Sequence, residues 1–545
     1  MRLDRTNWLP SLSPRDSAPS SGRFPRRRVA TLACGLLALV LVIGGTFIAR
    51  AAGRPELRLD GLARDGRVNA EALRKGGFAV TAAGDGKLDG IRVTVDGKPL
   101  RARTDGRALS VRWGALKDGE HELRVTKPGS VFTEATEVVR RLTVDTTAPR
   151  IEVADTEADT LRGPVTVEGR APGAREVTVA GHKARMDQDG SFAARLPRPP
   201  AHATVTATDA AGNTARQKAL VTVRRPLLKA VHVSSQGWAS DRLREPVMRL
   251  LKQKKINAVQ LDIKDELGEI GYDSKVPLAK SIGAAKGYYD AKKAVKEIHE
   301  AGGTVVGRIV AFRDPILASK SWKSGDRDRV VQTPGGGPYD GGSYGDLSFT
   351  NFANKEVRQY HLDLAEEAAK LGFDDILYDY IRRPDGPLSK MSFPGLGDTT
   401  PEQSITDMVA ETRPVAREHG AFLGVSVFGI AVTRPKEIAQ DVGALAQVSD
   451  YIAPMIYPSH WAPGEYGVSD PNSQPYPITK KSLADFVKET KHTDAAIVPW
   501  IQDFSLGVSY GDAEVRAQID AARSDGIEGF LLWNPGVRYH GGALD

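Results

Sequence analysis

The sequence predicts a multidomain protein: an N-terminal transmembrane helix, two all-β Ig-like sandwiches, and a C-terminal α/β domain of the (β/α)8 TIM-barrel class. Three observations lead to this fold class. An uncharged apolar segment runs from Val29 to Ala49, and short alternating strands separated by turn residues fill residues 54–226. From Leu228 onward, strand-like and helical stretches alternate to the end of the chain.

The charge of the chain is concentrated at its N-terminus. The formal net charge of the 545 residues is +7, and residues 1–28 contribute seven arginines against two aspartates, which is +5. The remaining chain therefore carries only +2, and no folded region has the basic stripe of a nucleic-acid-binding domain. The single cysteine, Cys34, excludes a disulfide framework and a thiolate metal site.

The apolar segment 29–49 follows Arg26, Arg27 and Arg28 directly. A stretch of about 20 apolar residues can span a bilayer as a helix, and preceding positive charge favours an inside N-terminus. We therefore expect residues 1–28 to be a cytoplasmic basic tail, residues 29–49 to be a membrane anchor, and the rest to lie outside the cell. Ala49-Arg50-Ala51 resembles a cleavage site, so a secreted protein is the alternative.

Residues 54–147 and 148–226 each predict a β-sandwich of roughly immunoglobulin size. In "IRVTVDG", alternate residues share one face before the turn at Asp96-Gly97. The joint "DTTAP" and the turn "DAAGN" resemble those of bacterial Ig-like surface domains. That resemblance implies either a spacer or a binding module, and the absence of an aromatic platform in both sequences favours the spacer.

Residues 228–545 show the alternation of a (β/α)8 barrel. The strand candidates are 229–235, 257–264, 304–312, 374–381, 422–430, 450–458, 496–504 and 527–535. Helical stretches such as "DRLREPVMRLLKQKK" and "NKEVRQYHLDLAEEAAKLG" follow seven of these strands. Only ten residues follow Pro535, so we expect the eighth helix to be missing.

Long loops are confined to one face of the predicted barrel. The links that follow strands are long at 313–353, 382–401 and 459–477, whereas links that follow helices are as short as "AGG" and "SDG". The long links lie at the carboxyl ends of the strands, where barrel enzymes build their active sites. The sequence therefore predicts a functional site at this face.

Several chemically capable side chains lie at the same strand ends. Asp379 is near the end of the fourth strand, and Arg308 is a charge within the apolar third strand. The candidate catalytic carboxylates are Asp379, Asp503 and Asp262. The candidate substrate-binding residues are Arg308, Lys264, Tyr457, His460, Trp461, Trp500, Gln502, Trp533 and Asn534. Paired carboxyl groups with aromatic rings suit glycoside hydrolysis, although each carboxylate could instead be a buried partner of Arg308.

Residues 228–538 resemble the putative glycosyl hydrolase domain of bacterial surface proteins, a barrel family related to the α-amylase-type glycosidases. The resemblance rests on "AVHVSSQGWAS", "INAVQLDIKDELGEI", "VVGRIVAFRDP", "FDDILYDYIRRP", "LGVSVFG", "DYIAPMIYPSHW" and "GFLLWNP". It implies hydrolysis of an extracellular polysaccharide without a cofactor, with Asp379 as the strand-4 nucleophile and Arg308 nearby. Relatives often carry an acidic residue near the end of strand 5, and "VSVFGIA" has none, so Asp503 and Asp262 are the candidates for the general acid.

The missing strand-5 carboxylate also leaves open a second function, a non-catalytic polysaccharide-binding protein of the cell surface. A zinc-dependent deacetylase is disfavoured because the ten histidines are scattered along the chain. An esterase is disfavoured because "GVSYG" around Ser509 is followed by only one histidine, His540. The expected partners are a polysaccharide and, through the N-terminal helix, a membrane.

Overall fold

The computed structural model describes residues 56–83, 88–129, 134–200 and 202–545. Within these ranges no helix has both the length and the apolar character that crossing a bilayer requires. The predicted transmembrane helix at 29–49 and the basic tail lie outside the described residues. The fold class and the single-pass membrane localisation that included this helix are corrected accordingly: the described chain consists of two β-modules and a barrel.

The first β-module consists of two sheets that share one apolar core. One sheet contains, in spatial order, Leu57–Asp60, Gly77–Ala82, Leu109–Arg112 and Arg101–Thr104. The other contains Arg67–Val68, Thr136–Val144, Gly119–Lys127, Arg92–Val95 and Lys98–Pro99, and one helix spans Ala70–Lys75. Period-2 alternation sends Val80 of the first sheet and Leu123 of the second into the core, where both are fully buried.

The second β-module repeats this plan. One sheet contains Glu152–Val153, Val165–Arg170, Ser191–Leu196 and Arg185–Met186. The other contains Thr156–Ala158, Thr214–Val223, His202–Asp209, Ala174–Val179 and His182–Lys183. Fully buried valines from both sheets, such as Val167 and Val205, form the core between them.

The Ig-like assignment of these modules is also corrected. An immunoglobulin sandwich is built from two antiparallel sheets. In the first module, Arg67–Val68 pairs in parallel with the end of the strand Thr136–Val144. In the second, Thr156–Ala158 pairs in parallel with the end of Thr214–Val223. Each module is therefore a pair of sheets of which one is mixed, and the Ig-like strand pattern is not reproduced.

The predicted barrel of eight parallel strands is confirmed. The strands are β1 (Lys229–Val233), β2 (Ala258–Lys264), β3 (Thr304–Val310), β4 (Asp375–Asp379), β5 (Phe422–Phe428), β6 (Tyr451–Met455), β7 (Ala496–Ile497 and Trp500–Gln502) and β8 (Phe530–Trp533). The sheet closes because β8 pairs with β1, Lys229 lying opposite Phe530. Strand β7 is in two pieces because Pro499 between them has no N–H to donate to a neighbouring strand.

Helices surround the barrel on its outer side. They span Ser235–Ala239, Asp241–Lys252, Pro277–Ser281, Ala291–Glu300, Pro315–Ser324, Lys355–Leu371, Pro401–Glu418, Pro435–Ile438, Val442–Val448, Pro475–Glu489 and Asp512–Ser524. Their apolar faces pack on the strands to form one large core. After β8 the described residues include a short 3-10 turn at Gly541–Leu544.

Residues 147–545 form one compact unit, so the second β-module belongs structurally with the barrel. Arg162 of that module donates hydrogen bonds to the carbonyl oxygens of Phe373 (2.6 Å) and Gly420 (3.0 Å). These two residues lie in the links that precede β4 and β5. The module thus contacts the face of the barrel opposite the carboxyl ends of the strands.

Candidate active site

A cavity of about 410 Å³ opens at the carboxyl ends of the barrel strands, on the face with the long loops. Its walls are mostly aromatic, and its charged lining groups are two carboxylates and one guanidinium. The lining residues are Glu266, Arg308, Tyr344, Asp379, Tyr380, Phe428, Gly429, Ile430, Met455, Tyr457, His460, Trp461, Trp500 and Trp533. A concave, largely apolar pocket with a few convergent charges is the usual form of a ligand site.

Arg308 is the centre of the charged group. Its side chain is only 2% exposed, and it contacts three carboxylates. Nε donates to Asp379 Oδ2 at 2.9 Å, and Nη1 donates to Asp262 Oδ1 at 3.0 Å. Nη2 lies 2.7 Å from the same oxygen of Asp379 and also donates to Glu266 Oε1. The guanidinium is thus held on three sides by negative charge, which keeps it protonated and fixes its plane.

The backbone at the end of β4 fixes the carboxylate of Asp379. Tyr380, the next residue, has a φ of +50°, a left-handed conformation that is unusual for an aromatic residue. This turn lets the Tyr380 N–H donate to Asp379 Oδ1 at 2.7 Å, while Arg308 binds Oδ2. Both oxygens are therefore held in place, and strained backbone of this kind is often found at functional sites.

Glu266 is the second carboxylate of the cavity, and the sequence reasoning missed its role. It lies just past the end of β2, its side chain is 27% exposed, and it reaches Arg308 across the mouth of the barrel. Burial raises the pKa of Glu266, but the charge and hydrogen bond of Arg308 outweigh burial, and the net pKa is lowered. The signal in the sequence was its place directly after a strand, "LDIKDE", which is where barrel site residues lie.

Asp262 lies behind Arg308 and does not line the cavity. It is 2% exposed and contacts Arg308 on one side and His232 Nε2, at 3.1 Å, on the other. Burial alone would raise its pKa, yet the charges and hydrogen bonds of His232 and Arg308 lower the pKa to about 2. Asp262 is therefore a buried carboxylate, favoured in its charged form, that contacts His232 and Arg308 and does not line the cavity.

Asp503 and Lys264 are likewise absent from the lining of the cavity. Asp503 is fully buried and accepts hydrogen bonds from the backbone N–H of His540 (3.0 Å) and its ring Nδ1 (2.5 Å). Burial raises the pKa of Asp503. Lys264 is also fully buried; its ammonium donates to the carbonyl of Val310 at 2.5 Å and pairs with Asp314 at 3.0 Å.

Six of the predicted binding residues do line the cavity: Arg308, Tyr457, His460, Trp461, Trp500 and Trp533. The indole N–H of Trp500 donates to Ser426 Oγ on β5 at 2.9 Å, which fixes the ring in the wall. Gln502 and Asn534 are not among the residues that line the cavity. Gln502 accepts from the backbone of Ser459 at 3.0 Å, and Asn534 donates to the carbonyl of Asp503.

Comparison with known proteins places the barrel in a family. Residues 230–539, more than half of the chain, match the family model described as "Putative glycosyl hydrolase domain". No curated protein matches the chain significantly.

The solved structures to which the chain is similar include the following three. A hypothetical protein from Ruminiclostridium thermocellum ATCC 27405 is 32% identical, with 36% of this chain and 96% of that chain covered and a TM-score of 0.31. The PgaB (BpsB) glycoside hydrolase domain from Bordetella bronchiseptica is 13% identical, with coverages of 57% and 95% and a TM-score of 0.41. The endo-1,4-beta-D-mannanase from Thermotoga petrophila RKU-1 is 12% identical, with coverages of 56% and 88% and a TM-score of 0.38.

The family assignment rests on the match to the family model. The match runs from β1 to the segment after β8 and includes both carboxylates of the cavity. The chain belongs to the family described as "Putative glycosyl hydrolase domain".

Proposed function

We propose that this protein hydrolyses glycosidic bonds within a polysaccharide and that Asp379 and Glu266 are its two catalytic carboxyl groups. One observation carries the proposal: both carboxylates converge on Arg308 at the base of the aromatic cavity. Most glycoside hydrolases use two carboxyl groups that flank the scissile bond. Glu266 replaces Asp503 and Asp262 as the partner of Asp379, because only Glu266 shares the cavity with it.

The spacing of the pair favours a retaining mechanism. Carboxylate oxygens of Glu266 and Asp379 both contact the same nitrogen, Nη2 of Arg308. Two oxygens bound to one nitrogen lie no more than about 6 Å apart, since each hydrogen bond is about 3 Å long. Retaining enzymes hold their carboxyl groups about 5 to 5.5 Å apart, whereas inverting enzymes leave about 6.5 to 9.5 Å for a water molecule.

The surroundings of the two carboxyl groups differ and suggest their roles. Asp379 has both oxygens fixed and a side chain only 4% exposed, which suits a nucleophile that must stay ionised and oriented. Glu266 is more open to the cavity, which suits a group that exchanges protons with the substrate. In this scheme Glu266 protonates the leaving oxygen while Asp379 attacks the anomeric carbon; Glu266 then deprotonates the water that releases the sugar.

The aromatic wall supports a sugar polymer as the substrate. The rings of Trp500, Trp533 and Tyr457 line one cavity, and aromatic faces bind the apolar C–H faces of sugar rings. The sequence likeness to surface-protein domains makes extracellular wall and capsular polysaccharides the substrates to test first. Of the features shared with amylase-type glycosidases, the proposal uses one, which is the position of Asp379 at the end of β4.

A polysaccharide-binding protein without catalysis is the second candidate. It is favoured by β5, which has no carboxylate at its end and instead presents Ser426 bonded to Trp500. Glu266 supplies a second carboxyl group from the loop after β2, which favours the enzyme.

The test is release of reducing ends from a panel of bacterial wall and capsular polysaccharides, α-linked polymers included. The wild type is compared with Asp379→Asn, and Asp503→Asn serves as a buried-carboxylate control outside the cavity. Release by the wild type and the control, with loss in Asp379→Asn, supports the proposal. Binding of a polymer without release by any of the three proteins would favour the second candidate.

A further inference from the structure

A chain of buried polar contacts lies behind the catalytic pair. His232 Nε2 lies 3.1 Å from Asp262 Oδ2, Asp262 Oδ1 lies 3.0 Å from Arg308 Nη1, and Arg308 then bonds Asp379 and Glu266. His232 and Asp262 are 3% and 2% exposed, and neither lines the cavity. They therefore cannot touch a substrate, and any part they play in the reaction acts through Arg308.

Among the residues that the structure describes, Asp262 is the one hydrogen-bond partner of the His232 ring. Its Nδ1 is buried and has no hydrogen-bond partner among the residues that the structure describes. The ring N–H that faces Asp262 is therefore the one on Nε2, which donates to the carboxylate. The ring also stacks on Trp533, with centroids 4.0 Å apart and planes 26° apart. Because Trp533 lines the cavity, His232 joins the charged group to the aromatic wall.

A guanidinium is planar and carries its five donors in fixed directions. Once Asp262 holds Nη1, the directions of Nε and Nη2 follow, and these are the atoms that bind Asp379 and Glu266. We propose that His232 and Asp262 are positioning residues that orient Arg308 toward the two catalytic carboxylates. This inference rests on the proposed function, and it gives Asp262 a role other than catalysis.

Two variants test the positioning role. Asp262→Asn removes the charge and keeps the shape, and His232→Phe keeps a ring to stack on Trp533 but removes the hydrogen bond. We expect kcat to fall about 10- to 100-fold in each variant, because each loses a residue that holds Arg308 in place without touching the substrate. KM should change less than about threefold. Wild-type kcat in both variants would overturn the proposal.

Asp375→Asn is the matched control. Asp375 is a buried carboxyl at the opposite end of β4, where it contacts the hydroxyl of Tyr451 at 2.9 Å. Burial raises the pKa of Asp375 to about 8, so the group is mostly neutral at pH 7 and asparagine is a close replacement. We expect its kcat to stay near that of the wild type. An equal fall of kcat in this control would show general damage to the barrel and would overturn the proposal.

The pH profile separates positioning from structural damage. Two charged groups shift the pKa of Glu266: Arg308 lowers it and Asp262 raises it. Two further carboxyl groups are near, Asp265 directly before it in the chain and Asp379 on the other side of Arg308. Loss of the Asp262 charge should move the pKa of the catalytic acid in kcat/KM to lower pH. His232→Phe keeps that charge and should leave the pKa in place. An identical profile in Asp262→Asn and wild type would contradict the proposal.

An activity-independent measurement distinguishes failure of this inference from failure of the proposed function. In ¹⁵N-arginine-labelled protein, the Nε–H of Arg308 should exchange slowly with solvent, because it is buried and bonded to Asp379. We expect exchange to quicken in Asp262→Asn and His232→Phe and to stay slow in Asp375→Asn. If the wild type releases no sugar, the proposed function fails. Unchanged exchange of the Arg308 Nε–H in Asp262→Asn and His232→Phe would overturn the positioning role whether or not sugar is released.

Discussion

Replacement of Arg308 by methionine should destabilise the barrel strongly, because it leaves three carboxylates around a position without positive charge. Removal of one partner from a buried ion pair costs about 3 to 5 kcal/mol. The cost should not triple here, since each carboxylate keeps another stabilising contact. Asp262 keeps His232, Asp379 keeps the N–H of Tyr380, and Glu266 is exposed enough to be hydrated. We therefore expect Arg308→Met to lower the free energy of unfolding by about 3 to 5 kcal/mol at pH 7.

The size of this effect should depend on pH with a definite sign. The pKa of Asp262 is lowered to about 2 in the folded protein, against about 3.9 for an unfolded chain. The stability that this group contributes is present above pH 3.9 and is lost as pH falls through about 2. Arg308 provides part of the lowering, so the stability difference between wild type and Arg308→Met should shrink as pH falls from about 4 to about 2.

Urea unfolding followed by tryptophan fluorescence measures this difference. Five of the seven tryptophans lie in the barrel sequence, so the signal reports mainly on that domain. Arg434→Met is the matched control, because Arg434 forms an ion pair with Glu465 in which the side chains are 40% and 32% exposed. An exposed pair of this kind contributes about 0 to 1 kcal/mol. Equal stability of Arg308→Met and Arg434→Met at pH 7 would refute the reasoning.

Three further predictions concern other parts of the chain. Arg162→Ala removes hydrogen bonds to the carbonyls of Phe373 and Gly420, so it should lower the unfolding free energy of the barrel by about 1 to 3 kcal/mol. The same urea titration measures this, and an unchanged midpoint would show that these hydrogen bonds do not stabilise the barrel. Gly424→Ala should destabilise by a similar amount, since a Cβ there would lie 2.0 Å from the Tyr451 ring; a wild-type melting temperature would show that the ring can move. The pKa of Glu266 is lowered, so if Glu266 is the catalytic acid, kcat/KM of the wild type should rise as pH falls. Glu266→Gln should abolish this rise, and an unaltered pH profile would exclude Glu266 as the catalytic acid.

The strands of the barrel could be predicted from the sequence because alternation of strand and helix over a whole domain is a strong signal. The face of the site could also be predicted, because only the loops after the strands are long. The position of Asp379 at the end of β4 followed from these two facts, and five predicted aromatic and histidine groups do line the cavity.

The inner face of β2 could be predicted only as far as Asp262. Strict alternation puts Lys264 on the same face as Asp262, but the pairing with β3 shifts between these two residues. The extra residue of this bulge reverses the alternation, and Lys264 contacts Asp314 instead of the cavity. A bulge has no reliable sequence signature, so the prediction failed at the point where the strand bends.

Glu266 was missed for a related reason. It lies in a loop, where alternation gives no direction for a side chain, and only the fold brings it to Arg308. The buried position of Asp503 could not be predicted, because its partner, His540, lies 37 residues later in the chain and sequence spacing does not reveal such a contact. The Ig-like assignment failed because turn motifs identify β-modules but not the parallel edge strands found here.

The most direct test of the account is chemical rescue of Asp379→Ala with azide. A small anion can take the place of a deleted nucleophile, so azide should restore cleavage of a polymer that the wild type cleaves. If Asp379 is the nucleophile of a retaining mechanism, the product is a glycosyl azide with the anomeric configuration opposite to that of the substrate, and azide does not rescue the Asp503→Ala control. Full activity of Asp379→Ala without azide would contradict the assignment of Asp379 as the nucleophile.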